Sequence, residues 1–162
     1  MALERFHSAQ ASEPGGFATA LAELEAGRKT SHWIWYIFPQ LAELGRSPTA
    51  KFYGLADLAE ARAYLADPVL RERLRLVVTA AARQLADGVA LTALMGGETD
   101  SRKLVSSLTL FELAAHEGSD GESARPEVVA LAALCGRVLD AAARQGCPRC
   151  PLTRPRGTGD GC

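Results

Sequence analysis

Three short stretches hold most of the side chains able to do chemistry. Residues 27–40 read GRKTSHWIWYIFPQ, which crowds two cations, two hydroxyls, a histidine and four aromatics around one turn. A helix start with free backbone N–H groups and nearby cations suits an anion. Arg28 and Lys29 are therefore candidate phosphate holders, with Ser31 and Gln40 as polar contacts. Trp33 and Trp35 are candidate stacking surfaces for a planar ring, and His32 is the candidate proton carrier. The two tryptophans are two residues apart, so a helix cannot turn both to one face. At least one must point away from the main core. The plain alternative is a core helix with solvated cations.

Residues 45–53, GRSPTAKFY, add Arg46, Ser47 and Tyr53 to the candidate ligand contacts, although capping by itself explains Ser47 and Pro48. Residues 100–111, DSRKLVSSLTLF, combine a Leu104–Leu108–Phe111 stripe with Lys103, Ser106, Ser107 and Thr109. Lys103 and Ser107 are helical neighbours at i and i+4. They are the candidates for a Ser–Lys nucleophile pair, while Ser106 and Thr109 are candidate polar ligand contacts. Small hydroxyls in mid-helix more often bond the backbone. The chain has no GxSxG, HExxH, GxxxxGK[ST] or strand-led GxGxxG string, so no familiar catalytic signature decides the reaction.

The elements that must position these stretches read as helices. Leu3 to Ala11 is predicted as a short helix broken by Pro14-Gly15-Gly16. Phe17, Leu21 and Leu24 then recur at helical spacing up to Gly27. A further segment runs to a break near Phe38, because Pro39 cannot continue it. Ser47-Pro48 and Asp67-Pro68 are cap-plus-proline starts, and Asp57 with Glu60 fits a capping box. The Asp67 helix, stopped near Asp87-Gly88, is predicted to be the longest. Val89 to Met95 is short and apolar and ends at Gly96-Gly97. Asp100 is predicted to cap a helix to about Ala115, followed by a polar loop and a last helix from Pro126 to about Arg144. Alternation of the kind that marks a strand is absent, and Ala and Leu far outnumber Val and Ile. The expected fold is an all-α, multihelical single domain of about eight short helices spanning residues 1–145. Residues 146–162 are expected to form a flexible Pro/Gly/Cys-containing tail.

At 162 residues the chain suits one domain with a real core. Eighteen Lys+Arg against nineteen Asp+Glu give a net charge of −1, which argues against a nucleic-acid or membrane-surface binder. No apolar run reaches the roughly 18 residues of a membrane span, and Met1 to Gln10 lacks the core of a secretory signal, so a cytoplasmic location is expected. Of the ten aromatics, six lie between Trp33 and Tyr53, which marks that region for a site. Cys147 and Cys150 form a CPRC motif that a metal knuckle or redox pair could use. A zinc site would have to add Cys135 and Cys162, and the motif follows a helix rather than a strand. The four cysteines are read as ordinary thiols, and no metal or cofactor is expected.

SHWIWYIFPQ, LGRSPTAKFYG, ARAYLADPVLRERL and the later KLVSSLTLF together resemble the domain-of-unknown-function 1810 family, sometimes labelled calpastatin-like. The resemblance runs from about Glu4 to Phe111. It implies a small, soluble, all-helical protein and carries no established reaction with it. After Phe111 the chain departs from the family pattern: an Ala/Gly-rich segment and CPRC stand where the family has an aromatic C-terminal helix. A looser likeness in element order is to N-glycosidases acting on ADP-ribose-like and riboflavin-pathway intermediates, although the Trp-Gly string of that family is absent, with Met95-Gly96 in its place.

Two functions follow as expectations. One is an enzyme acting at an N-glycosidic or phosphate-linked centre of a nucleotide-like small molecule, with Lys29, His32, Trp33, Gln40, Lys103 and Ser107 lining one cleft. The other is a non-catalytic binding or interaction module for a metabolite or peptide.

Overall fold

The computed structural model describes residues 3–117 and 125–151. Nine α-helices follow one another among them: α1 (Glu4–Ala11), α2 (Phe17–Glu25), α3 (Ile34–Ile37), α4 (Pro48–Tyr53), α5 (Leu58–Ala66), α6 (Pro68–Ala86), α7 (Leu91–Met95), α8 (Glu98–Glu117) and α9 (Pro126–Arg144). One 3₁₀ turn, Ala42–Leu44, precedes α4. The protein is all-α, with no strand among the described residues. Three helices have 19 or 20 residues, so the set is one larger and less uniformly short than the sequence predicts.

Side-chain caps account for three helix starts. The Ser47 hydroxyl accepts from the Ala50 amide at 3.1 Å and starts α4. The Asp57 carboxylate accepts from the Glu60 amide at 2.9 Å at the start of α5. Glu60 returns its own bond to the Ala56 amide, one residue earlier than a standard capping box. Asp67 accepts from the Val69 and Leu70 amides at 3.0 Å each, with Pro68 in the first turn of α6. Leu70, Leu74, Val77, Val78, Ala81 and Leu85 then form the buried stripe of that helix.

The core joins these stripes. α9 packs against both α8 and α6, α2 packs on α6, and α5 packs on α8. Gln10 is a buried polar exception with its groups used: its amide donates to the Tyr36 carbonyl and the Tyr64 hydroxyl, and its oxygen accepts from Arg73. Between α3 and α5 the chain leaves the bundle and returns through an isolated parallel bridge. The Ala42 amide donates to the Leu55 carbonyl and the Leu55 amide to the Gln40 carbonyl, both at 2.8 Å. Arg5 holds the same place from outside, donating to the Gly54 carbonyl at 2.8 Å and pairing with Glu60 at 2.7 Å.

One expectation is corrected. α8 starts at Glu98, directly after the Gly96-Gly97 turn, so Asp100 lies inside its first turn and caps nothing. Its carboxylate is used on Lys29 instead. At the start of the expected tail, Arg149 and Cys150 are held against the bundle. The Arg149 guanidinium grips Glu112 with two bonds of 2.9 and 3.0 Å and Asp140 with a third of 3.0 Å. Cys150 is fully buried, and its amide donates to the Thr109 hydroxyl at 3.3 Å. The charge-assisted fork outweighs the Pro/Gly composition of the segment. Residues 152–162 of the expected tail, and most of the expected polar loop, lie outside the described residues.

The strap makes a measurable contribution. Arg149→Ala is expected to lower stability by about 1–2 kcal/mol, or roughly 3–6 °C in Tm. Thermal unfolding followed by circular dichroism reads this directly. An unchanged Tm would mean that the Glu112 and Asp140 contacts are energetically idle.

Candidate functional site

Residues 26–33 do not form a helix start; they fold back over the end of α2 around one carboxylate. Glu23 accepts from the Thr30 amide at 2.7 Å, the Ser31 amide at 2.8 Å, the Ser31 hydroxyl at 2.5 Å and the Trp33 indole N–H at 3.0 Å. Desolvation pushes the Glu23 carboxyl up. The Ser31 hydroxyl, the two amides and the indole together outweigh it and bring the group down to about 2. Glu23 was not among the residues read as candidates, because in the sequence it is one polar position on an amphipathic helix.

Lys29 is held on the other side of this turn. It is buried, with its ammonium 2.8 Å from Asp100 Oδ2, 2.5 Å from the Ser31 carbonyl and 4.9 Å from the centre of the Trp33 ring. Its amide donates to the Leu94 carbonyl at 2.8 Å. The turn between α7 and α8 closes directly over it. Gly96 has φ +75°, and a Cβ there would sit 3.1 Å from the Lys29 carbonyl oxygen, so both conformation and space call for glycine.

Asp100 also faces a second lysine. Lys103 Nζ lies 3.9 Å from Asp100 Oδ1 and 5.4 Å from the Trp35 ring centre. Here α3, α4 and α8 enclose a small niche lined by Ile34, Trp35, Phe38, Gln40, Ala50, Gly54 and Lys103, with room for about one water molecule. The Trp35 Nε1–H is buried with no acceptor among the described residues. Such orphaned donors are uncommon.

The remaining candidates are dispersed. Trp33 is fully buried and its N–H is used by Glu23, so this ring is part of the core. Ser31 is bound on three sides by Glu23 and Lys29. His32, Arg28 and Arg46 are exposed. Ser47 is the α4 cap. Tyr53 is half-buried against Tyr36, with ring centres 5.2 Å apart. Ser106 is buried. Ser107 is fully buried, and its hydroxyl has no hydrogen-bond partner among the described residues. Thr109 donates to the Val105 carbonyl at 2.7 Å. The structure therefore brings together Trp35, Gln40 and Lys103, joins Lys29 to them through Asp100, and leaves His32 and Ser107 off the niche wall.

The four strings that carry the family resemblance, three of which line this niche, lie within a single family match. Residues 1–125 match the family described as "Protein of unknown function (DUF1810)". The chain belongs to the DUF1810 family. It is also similar to the conserved hypothetical protein Rv1873 from Mycobacterium tuberculosis. The identity is 36%, the TM-score against that crystal structure is 0.65, and the match covers 89% of this chain and 96% of the other. No curated protein matches the chain. Glu23, Lys29, Trp35, Gln40, Asp100 and Lys103 all fall in the DUF1810 span, whereas α9 and the Arg149 strap lie beyond it.

The thiols next to the DUF1810 span are not activated. Burial, reinforced by Glu112, pushes the Cys135 thiol up to about 12, and burial also raises Cys147. Cys147 is a free thiol and Cys150 is disulfide-bonded, so the two cysteines of CPRC are not bonded to each other. No group of three or more His, Cys, Asp or Glu side chains is placed to hold a metal ion among the described residues. No helix there is long and apolar enough to cross a membrane.

Proposed function

We propose that this DUF1810 protein is a binding module for a small metabolite that ends in a carboxylate or phosphate, received at the Trp35–Gln40–Lys103 niche. The observation that carries this reading is the buried Trp35 indole N–H, which has no acceptor among the described residues, on the same niche wall as Lys103. Trp35, Lys103 and Gln40 all line one small space, and a ligand oxygen is the complement that the indole lacks among the described residues. The niche admits one such oxygen. The rest of the ligand would lie outside it, against the half-buried Trp35 ring, which suits the planar base of a nucleotide-like compound.

Hydrolysis at an N-glycosidic or phosphate-linked centre has less support. Its nucleophile would be Ser107, whose hydroxyl has no base bonded to it among the described residues. His32 is exposed and is not on the niche wall.

The test is a titration with AMP, ADP-ribose and citrate, read by tryptophan fluorescence and thermal shift. At least one probe is expected to bind. Trp35→Phe, which keeps an aromatic face and removes the donor, and Lys103→Met are each expected to weaken that probe about 10-fold or more, while apo Tm stays within about 2 °C. Binding that ignores both substitutions, or no binding by any probe, overturns the proposal. Conversion of a bound probe to product would restore the enzyme reading.

A further inference from the structure

A larger concavity lies on other elements, between α6 and α9. It encloses about 560 Å³, within the range typical of small-molecule sites. Its floor is apolar, with Ala82 from α6 and Leu134 and Ala141 from α9. Its rim is cationic. Arg83 stands on α6, and Arg137 and Arg144 stand on α9. Arg137 and Arg144 are seven residues apart, hence on one face and about 10 Å apart along the helix. All three are exposed, and none of their guanidinium groups has a hydrogen bond or ion pair among the described residues. The one carboxylate on the rim, Asp140, is already bound to Arg149 at 3.0 Å. A chain of net charge −1 thus gathers three uncommitted guanidiniums around one apolar trough.

We infer that this groove is a second binding site, for a phosphorylated small molecule with an apolar body. Charge complementarity selects an anion, and the planar fork of arginine matches phosphate with two parallel bonds. The volume and the Ala/Leu floor select a ligand with an aryl or alkyl portion over phosphate alone. The site shares no residue with the Trp35 niche, and its whole α9 wall comes from the part of the chain beyond residue 125.

Calorimetric titration of the full chain with 1-naphthyl phosphate, 1-naphthol and inorganic phosphate tests the inference. The ester is expected to bind at least about 10-fold more tightly than either fragment, since cation and floor act together. Arg83→Ala and Arg137→Ala are each expected to weaken it about 5- to 10-fold. Arg75→Ala, outside the groove, and Lys103→Met, in the niche, should change it less than about twofold, which separates this site from the first. Equal binding of the ester and inorganic phosphate, equal binding of the ester and naphthol, loss of ester binding through Lys103→Met alone, or no binding of the ester would each overturn the proposal. A glutamate-rich peptide that binds more tightly than the ester would also overturn it, in favour of an acidic protein partner.

Discussion

Glu23→Ala is expected to destabilise the protein by about 3 kcal/mol, although the residue is only partly buried and lines no part of the niche. The reason is the number of donors that converge on it. The Thr30 and Ser31 amides, the Ser31 hydroxyl and the Trp33 indole all end on one carboxylate. Alanine would leave four donors without their acceptor, one of them the N–H of a fully buried tryptophan. Glu23→Gln retains one oxygen, and the Ser31 hydroxyl can turn to accept, so its expected cost is about half as large. The pH dependence follows from the direction of the shift. The folded carboxyl sits at about 2, below its value in an unfolded chain. Its stabilisation is therefore complete above the ordinary carboxylate range of roughly 4–5 and is lost as pH falls through that range towards about 2. Urea unfolding at pH 7, 5 and 3 should show the gap between wild type and Glu23→Ala shrinking at the acid end. A gap that stays constant across these pH values would remove Glu23 as the centre of the turn.

The second large effect is asymmetric. Asp100→Ala is expected to cost about 3 kcal/mol, and Lys29→Met clearly less. The Lys29 side chain is 6% exposed and the Asp100 side chain 24%. Removing the aspartate strands a buried ammonium with only the Ser31 carbonyl and the Trp33 face. Removing the lysine leaves a carboxylate that water can reach and that has Lys103 nearby at 3.9 Å. The Lys29→Met/Asp100→Ala double variant should recover part of the loss, which a double-mutant cycle measures. A larger cost for Lys29→Met than for Asp100→Ala would refute this account.

The sequence disclosed what neighbouring residues settle between themselves. Ser47-Pro48, Asp67-Pro68 and the break at Phe38-Pro39 stand where expected because each needs contacts only within one turn. The tryptophan argument also holds: Trp33 is in the core and Trp35 reaches a different surface. Asp100 could not be read this way. As a residue before a helical stripe it has the signature of a cap, and its real partner is 71 positions earlier in the chain. Arg149 was hidden for the same reason, in a segment whose prolines and glycines suggest no docking until Glu112 and Asp140 are seen side by side. Glu23 gave one usable signal, an acidic residue shortly before the Thr30-Ser31-Trp33 run of donors. It becomes informative only once Gly27 reverses the chain.

The parallel bridge between Leu41 and Leu55 means that the niche wall and the core are open to change at different rates. Two backbone bonds fix the neck of residues 42–54 whatever the chain does between them. Entropy penalises a longer loop only weakly, by about 0.6 kcal/mol per doubling. Insertions or deletions near the exposed residues 46–49 would leave the helical bundle intact while moving Ala50 against the niche. The neck itself has no such freedom. A Cβ at Gly54 would come within 2.3 Å of the Ala42 Cα. A relative that carries a side chain at position 54 must have rebuilt the neck. One that varies only the stretch ahead of Ala50 can alter which ligand it accepts without first acquiring a new fold.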